Sequence, residues 1–593
     1  MTQFIKYFGV FPKGLLSLIQ MCHIGGALVL ATVVGLVNYD IVARNLFSLP
    51  FLGIEEIVSL GIPIIVFLAT PMQVVSRSLI STDFLVRRST RIIRLGLYSY
   101  SEYFTLLISG IVFLSVVPLF NYAIKNDQFI GVVGVFTMAL WPLKLAILIG
   151  FGLAFVASLF HMGRLICSNS SSSFFVSFCL FIATPIPFYI LSGSASIGLG
   201  AIFLLFLLLL AGVPVVFSLM TAASVGIAVM KGDFLVAANS LGLVVNSAAT
   251  SYVLAAVPFF ILMGLVVGKA NIGRDSLTVA HWLFRSIKGG FGVATVAANT
   301  VFAAITGISI ASAAIFSRVA APPMIELGFT ARFSLGLIAG SSVLGMLIPP
   351  SLLLIIYGVI AEVSINKLFL AAIVPGIILA LMLCATVIIC VFFRLPFAVT
   401  PEYSDVPPKP EKINTILLMM APTLTLLLVV IGGIYGGIFT PTEAGAVGAL
   451  MAIFIALAMK RVTFIQTYHL IKDAAGKTAS ILLMVIAATS FGLMITLSGL
   501  PDIMSSIASG SGLGLTGYVL IYLVALVLLG MVLDSTSILL IMVPLAMPTV
   551  LDLGGDLVWF GIITVIGVEV GLLTPPLGLS VFAIKASIDD PDI

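Results

Sequence analysis

The chain has 593 residues, is 61% hydrophobic and only 8% charged, and carries a formal net charge of +4. A soluble chain carries roughly 25% charged residues to coat its surface, so this composition belongs in a bilayer. The longest stretch without a strongly apolar run, around Arg394 to Lys412, is too short for a nucleotide-binding or catalytic module, which excludes an ATP-driven pump within the chain. The basic residues lie in short loops beside apolar segments, where they report topology and call for no nucleic-acid partner.

Lys6 and Lys13 precede a long apolar run that further spans follow, so the run reads as a first transmembrane helix rather than a cleaved signal. A span needs about 20 apolar residues. The first third offers four, at 14–37, 52–75, 98–120 and 133–160. The loop with Arg77, Arg87, Arg88, Arg91 and Arg94 is strongly basic, and Lys6, Lys13 and Arg164 lie an even number of crossings away. All three regions are therefore expected on the cytoplasmic side, N-terminus included, with Asn38–Pro50 and Asn121–Gly131 facing out. A serine run, Ser168 to Ser173, precedes another apolar segment at 174–191, expected to be a linker and one extra crossing. The five cysteines (Cys22, Cys167, Cys179, Cys384, Cys390) and four histidines (His23, His161, His281, His469) have no metal-like spacing.

The remaining residues contain an internal repeat. Gly345-Met-Leu-Ile-Pro-Pro-Ser351 aligns with Gly571-Leu-Leu-Thr-Pro-Pro-Leu577 at an offset of 575 − 349 = 226. Pro214 falls about that far before Pro441, and Thr306–Ser312 about that far before Leu533–Ser537. The basic loops swap places between the copies. Lys269, Arg274, Arg285 and Lys288 follow the 259–268 segment, whose counterpart has only Asp502 nearby; Lys460, Arg461, Lys472 and Lys477 follow the Pro441 segment, whose counterpart has only Lys231. The copies are thus expected to cross in opposite directions, the inverted-repeat architecture of secondary transporters.

Two prolines in an apolar stretch break a helix, and a broken helix in a membrane is tolerated only inside protein or beside a watery cavity. Pro349-Pro350 and Pro575-Pro576 are therefore expected at the tips of two re-entrant hairpins, where loosened carbonyls suit Na⁺ and helix N-termini suit an anion. A polar cluster lies about 40 residues before each: Thr306, Ser309 and Ser312, and Asp534, Ser535, Thr536 and Ser537. Asp534 is the sharpest of these, because an acid between Gly530-Met-Val-Leu and Ile538-Leu-Leu-Ile is costly unless solvated, paired or metal-bound. Glu569 and Glu443 carry weaker signals, and Glu443, after Thr440-Pro-Thr, reads first as a helix N-terminal cap. Glu55 and Glu56 suit an ion pair with Arg44. Gly476-Lys-Thr478 fails as a phosphate-binding loop because Ile471 stands where its first glycine belongs, and no hydrolase motif occurs.

Gly432-Gly-Ile-Tyr-Gly-Gly-Ile-Phe-Thr-Pro-Thr-Glu-Ala444, Leu347-Ile-Pro-Pro-Ser351 and Gly571-Leu-Leu-Thr-Pro-Pro576 resemble the large membrane subunit of tripartite ATP-independent periplasmic (TRAP) transporters, over roughly 195–590. The preceding four-span segment, with Arg44 and Glu55-Glu56, resembles the small membrane subunit of the same systems. The resemblance implies an all-α polytopic membrane protein: a four-helix small subunit (1–167), a linker with an extra helix (168–194), repeat one with its hairpin (195–395), a cytoplasmic inter-repeat loop (396–412) and repeat two with its hairpin (413–593). It further implies an elevator-type, Na⁺-driven importer of organic acid anions in the bacterial inner membrane, fed by a periplasmic substrate-binding protein, with the fused chain sufficient as a monomer among membrane lipid. By that resemblance the coupling ions, two or more Na⁺, are assigned to Thr306, Gly307, Ser341, Ser342, Gly345, Asp534, Thr536, Thr574 and Gly578. Substrate is assigned to Ser309, Ser312, Ser351, Asp534 and Ser537. Proton coupling through Asp534 or Glu569 is the first alternative; a channel and an intramembrane enzyme are more remote ones.

Overall fold

The computed structural model describes residues 11–82, 84–168, 194–248, 250–404, 413–510, 512, 514–575 and 578–588. The extra crossing expected at 174–191 lies outside the described residues, as do Pro576 and Leu577. The protein is an all-α polytopic membrane protein. Among the described residues, ten helices are long and apolar enough to cross a membrane, or eleven if one bent pair counts as a span.

The four N-terminal spans form as Lys13–Phe47, Ile54–Val75, Arg91–Lys125 and Trp141–Ser168. The fourth starts at Trp141 rather than 133 because the preceding residues form a β-hairpin, Phe129–Val132 paired antiparallel with Phe136–Ala139. Val132 pairs with Phe136, leaving a three-residue turn in which Gly134 takes φ +88, a conformation suited to glycine.

The chain divides into two compact units. The first comprises Met1–Pro258, Ile471–Tyr518 and Leu540–Gly554; the second comprises Phe259–Leu470, Val519–Leu539 and Gly555–Ile593. In the first unit, Lys13–Phe47 packs on Ile54–Val75, which packs on Trp141–Ser168, which packs on Arg91–Lys125. Gly150 makes one crossing possible, since a Cβ there would fall 2.3 Å from the Phe67 carbonyl oxygen. Polar groups tie the ends: Glu102, buried, accepts from Arg77 Nη2 at 2.8 Å and lies 3.2 Å from His161 Nδ1. Arg44, expected near Glu55 and Glu56, lies 3.8 Å from Asp40, one turn back on its own helix. The Phe464–Ser498 helix contributes Ser480, whose hydroxyl donates to Gln73 Oε1 at 3.3 Å.

The second unit contains both interrupted helices. Its Ile365–Phe392 helix keeps Leu370, Val374, Ile377, Ile378, Leu381 and Met382 exposed, a stripe at helical spacing that suits lipid chains. The glycine-rich 432–437 segment follows a π-turn at Leu428–Gly432 and places Phe439 on Gly433, where a Cβ would be 2.2 Å from the ring. Thr440 then caps Pro441–Ala458 in a capping box with Glu443, so Glu443 is the cap that its sequence context indicated. Asp275 and Arg461 form an ion pair at 2.5 Å, and the same guanidinium donates to Ala270 O at 3.0 Å.

The repeat is visible in the helix boundaries. Ser309 and Ser535 begin equivalent helices 226 residues apart, and Leu352 and Leu579 begin the next pair of short helices 227 apart.

Candidate functional site

All thirteen positions assigned above to ions or substrate lie in the second unit. Ala331–Leu347 and Leu352–Ile360 are consecutive segments bent by 43° at the Pro349-Pro350 break. The prolines interrupt the helix, as their missing N–H groups demand, and the bent pair is either a broken span or a re-entrant loop. This break is where the sequence places a hairpin tip, at Ser341–Pro350. Pro349 has no N–H for the Gly345 carbonyl four residues earlier, which leaves that oxygen without its usual helical donor. Ser351 takes up the slack beside it: its hydroxyl donates to Met346 O and accepts the Leu354 N–H at 3.3 Å as N-cap of the next segment.

The first polar cluster forms where Gly290–Thr306 ends. Gly307 takes φ +64 and returns its N–H to Ala303 O at 2.8 Å, Ile308 is extended, and Ser309 opens the next helix. Thr306 donates to Ala303 O at 3.2 Å and Ser312 to Ser309 O at 3.2 Å. Gly307 also brings this break against the proline break: a Cβ there would sit 3.3 Å from Pro350 O and 3.4 Å from Leu352 N. Gly345 approaches Ala303 so closely that a Cβ would fall 2.7 Å from its carbonyl oxygen. Asn299, which the sequence reading passed over, donates to Ser341 Oγ at 2.7 Å and to Ile338 O at 3.1 Å. Its one sequence signal is a carboxamide in an otherwise apolar helix. Ser342 donates within its own helix, to Ala339 O at 2.7 Å.

In the second repeat, Asp534 caps the helix it precedes. One oxygen accepts the Thr536 and Ser537 N–H groups at 3.1 and 3.3 Å, and the other accepts the Ser537 hydroxyl. Ser535 turns away and donates to Glu569 Oε1 at 3.1 Å. Glu569 is fully buried, and Ser309 of the first repeat lies beside the same carboxyl group. The second interruption begins at Thr574, whose N–H returns to Gly571 O at 3.0 Å and whose hydroxyl donates to Val570 O at 2.8 Å. It ends at Gly578, at φ +53, which opens Leu579–Ser587. The helices before and after the second cluster cross glycine on glycine, since a Cβ on Gly530 would lie 2.5 Å from Gly571 Cα.

The arrangement is oxygen-rich and contains neither a nucleophile–base pair nor, among the described residues, a group of three or more His, Cys, Asp or Glu fit to hold a metal. Two breaks in opposed repeats, lined by hydroxyls, loosened carbonyls and helix N-termini, suit small ions and anions. Residues 202–588 match the family described as tripartite ATP-independent periplasmic transporter, DctM component.

The chain belongs to the TRAP transporter family.

Residues 33–168 match the DctQ component of the same transporters, so this TRAP chain carries both membrane components in the order Q then M. It is similar to the C4-dicarboxylate TRAP transporter large permease protein DctM of Pseudomonas aeruginosa, 32% identical over 59% of this chain and 80% of that one. The isethionate TRAP transporter permease protein DctMQ of Oleidesulfovibrio alaskensis is 31% identical over 63% and 58%. The sialic acid TRAP transporter large permease protein SiaM of Vibrio cholerae is 31% identical over 66% and 90%. The chain is therefore a multi-pass secondary transporter permease and not an enzyme, and TRAP membership implies a periplasmic substrate-binding protein as partner.

Proposed function

We propose that this TRAP permease imports a small organic acid anion, of the carboxylate or sulfonate class named for its relatives, by Na⁺ symport in the bacterial inner membrane. The observation that carries the reading is the pair of interrupted helices at equivalent repeat positions, gathered in one compact unit with their polar clusters. That unit is the proposed moving part of an elevator, with its N-terminus-bearing partner unit as scaffold and the single fused chain as the working monomer. Coupling ions use the breaks: Thr306 and Gly307, Ser341, Ser342 and Gly345, Asp534 and Thr536, and Thr574 and Gly578. Ser309, Ser312, Ser351, Asp534 and Ser537 face the substrate's acid group together with the half-helix N-termini.

The test needs neither substrate nor binding protein. Thermal unfolding of the detergent-purified chain is compared in NaCl, KCl and choline chloride at equal ionic strength. A ligand of the native state raises stability by about 2.7 kcal/mol at a hundred times its dissociation constant. A saturable, Na⁺-selective shift is expected, and its absence removes sodium coupling. A second reading, proton coupling, is favoured by one feature: Glu569 is a fully buried acid with no cationic partner among the described residues. It predicts no sodium shift, and uptake that follows the pH gradient.

A further inference from the structure

A polar cavity lies in the first unit, at the end of Ile54–Val75 that the basic loop follows. It measures about 300 Å³, the lower bound of small-molecule sites, and Arg77, Glu102, Tyr98, Ser81, Ser101 and Thr105 contribute to its lining.

Arg77 reaches the cavity from a position that disfavours it. The helix ends in a Schellman turn, in which the Arg77 N–H returns to Val74 O at 3.2 Å and the Ser78 N–H to Gln73 O at 3.0 Å. Such a turn puts the residue after its cap in the left-handed region, where glycine is the usual choice because a Cβ is strained there. Arg77 takes it at φ +51. Nothing in the turn calls for arginine, so the reason lies in the side chain. The guanidinium stands over the Tyr98 ring, 5.2 Å from its centroid, and Nη2 donates to Glu102 Oε1 at 2.8 Å. Glu102 is shared with His161, whose Nδ1 lies 3.2 Å from the same oxygen.

A guanidinium carries five N–H groups in a planar fork, more than one carboxylate oxygen takes. Held by the ring and by Glu102, the Arg77 fork is oriented in advance for a second oxyanion, with the hydroxyls of Tyr98, Ser81 and Ser101 on the surrounding walls. The charge balance points the same way, since Arg88, Arg91 and Arg94 follow in the same basic segment and Glu102 is already engaged by two partners. A carboxylate offers two oxygens in one plane, whereas a phosphate spreads its oxygens over several directions, which suits donors on separate walls.

We propose that this cavity binds a phosphate group, with Arg77 gripping it and Tyr98 and Ser101 donating to its remaining oxygens. The group belongs either to the head of an anionic phospholipid or to free phosphate, which present the same oxyanion. The site lies in the unit that holds none of the residues assigned to Na⁺ or substrate, so it stands whether or not the coupling reading does.

The test is thermal unfolding of the full chain in an uncharged, phosphate-free detergent at fixed Na⁺, pH and ionic strength. Inorganic phosphate is titrated in one arm and phosphatidylglycerol in the other, with oleate as the phosphate-free anionic lipid. Saturable stabilisation by inorganic phosphate assigns the site to the free ion. Stabilisation by phosphatidylglycerol and not by oleate or inorganic phosphate assigns it to the headgroup. Arg77→Gln is expected to raise the half-saturating concentration of the active probe about tenfold, the loss of one charge-assisted pair. No stabilisation by either phosphate probe, or a wild-type value in Arg77→Gln, overturns the proposal. Should Arg77→Gln fail to fold, two variants carry the test: Arg77→Gly, which suits the left-handed backbone, and Tyr98→Phe, which leaves the ion pair with Glu102 in place. Both are expected to weaken the phosphate response, and wild-type values in both overturn the proposal.

Discussion

Asp534 and Glu569 are both acids in the membrane part of the second repeat, and their oxygens are used differently. Asp534 accepts two backbone N–H groups and a hydroxyl as an N-cap, so asparagine at that position still caps while losing the charge. Asp534→Asn is therefore expected to unfold within a few degrees of wild type and to lose Na⁺-driven uptake in proteoliposomes. Wild-type uptake in that variant takes Asp534 out of the site. Glu443 makes a different case: it closes a capping box, and Glu443→Ala is expected to lower stability by about 1 kcal/mol through loss of that box. Sequence context read Glu443 correctly because a cap is local. Glu569 carried a weak signal because its partners, Ser309 and Ser535, are 260 and 34 residues away (569 − 309 and 569 − 535) and only packing brings them together.

At the scale of an element, the proline pair shows where periodicity and hydropathy succeed and stop. That the helix breaks at Pro349-Pro350 follows from two missing N–H groups, and the structure breaks it there. The angle of the break does not follow, because 43° is decided by what packs on either side: Gly307 against Pro350 and Gly345 against Ala303. Replacing both prolines with alanine is expected to let the segment run on as helix, reclaim the Gly345 carbonyl and abolish transport, read as uptake by reconstituted protein. Unchanged uptake dissociates the break from the mechanism. Gly345→Val would drive a side chain into the Ala303 backbone and is expected to destabilise the chain by about 1–3 kcal/mol in thermal unfolding.

At the scale of the molecule, each unit mixes parts distant in sequence, the first joining 1–258 with 471–518 and 540–554. The Ser480 hydroxyl, donating to Gln73 Oε1, is one polar tie across that join, and others hold the N-terminal spans to each other. Glu102 holds Arg77 and His161 from neighbouring segments, and Glu102→Ala removes the carboxylate from both, with an expected loss of about 3 kcal/mol measured in detergent. Changes in the first unit of this kind are expected to alter stability while leaving the half-saturating Na⁺ concentration at its wild-type value, because every proposed Na⁺ ligand belongs to the second unit. A changed sodium affinity in Glu102→Ala would count against confining the ion site to that unit.

Composition alone placed the chain in a bilayer, because a chain 61% hydrophobic and only 8% charged has too little polar surface to face water all round. The spans, the inverted repeat, the helix breaks and the family motifs were equally legible, since each depends on residue type at a fixed spacing. The β-hairpin at 129–139 was not, because four-residue strands resemble the start of an apolar span. Nor was the grouping of segments into units, the 43° course of the broken helix, or the meeting of Ser309, Ser535 and Glu569. Those depend on which glycines let backbones approach and which buried oxygens find partners, and such contacts between distant residues exist only once the chain is packed.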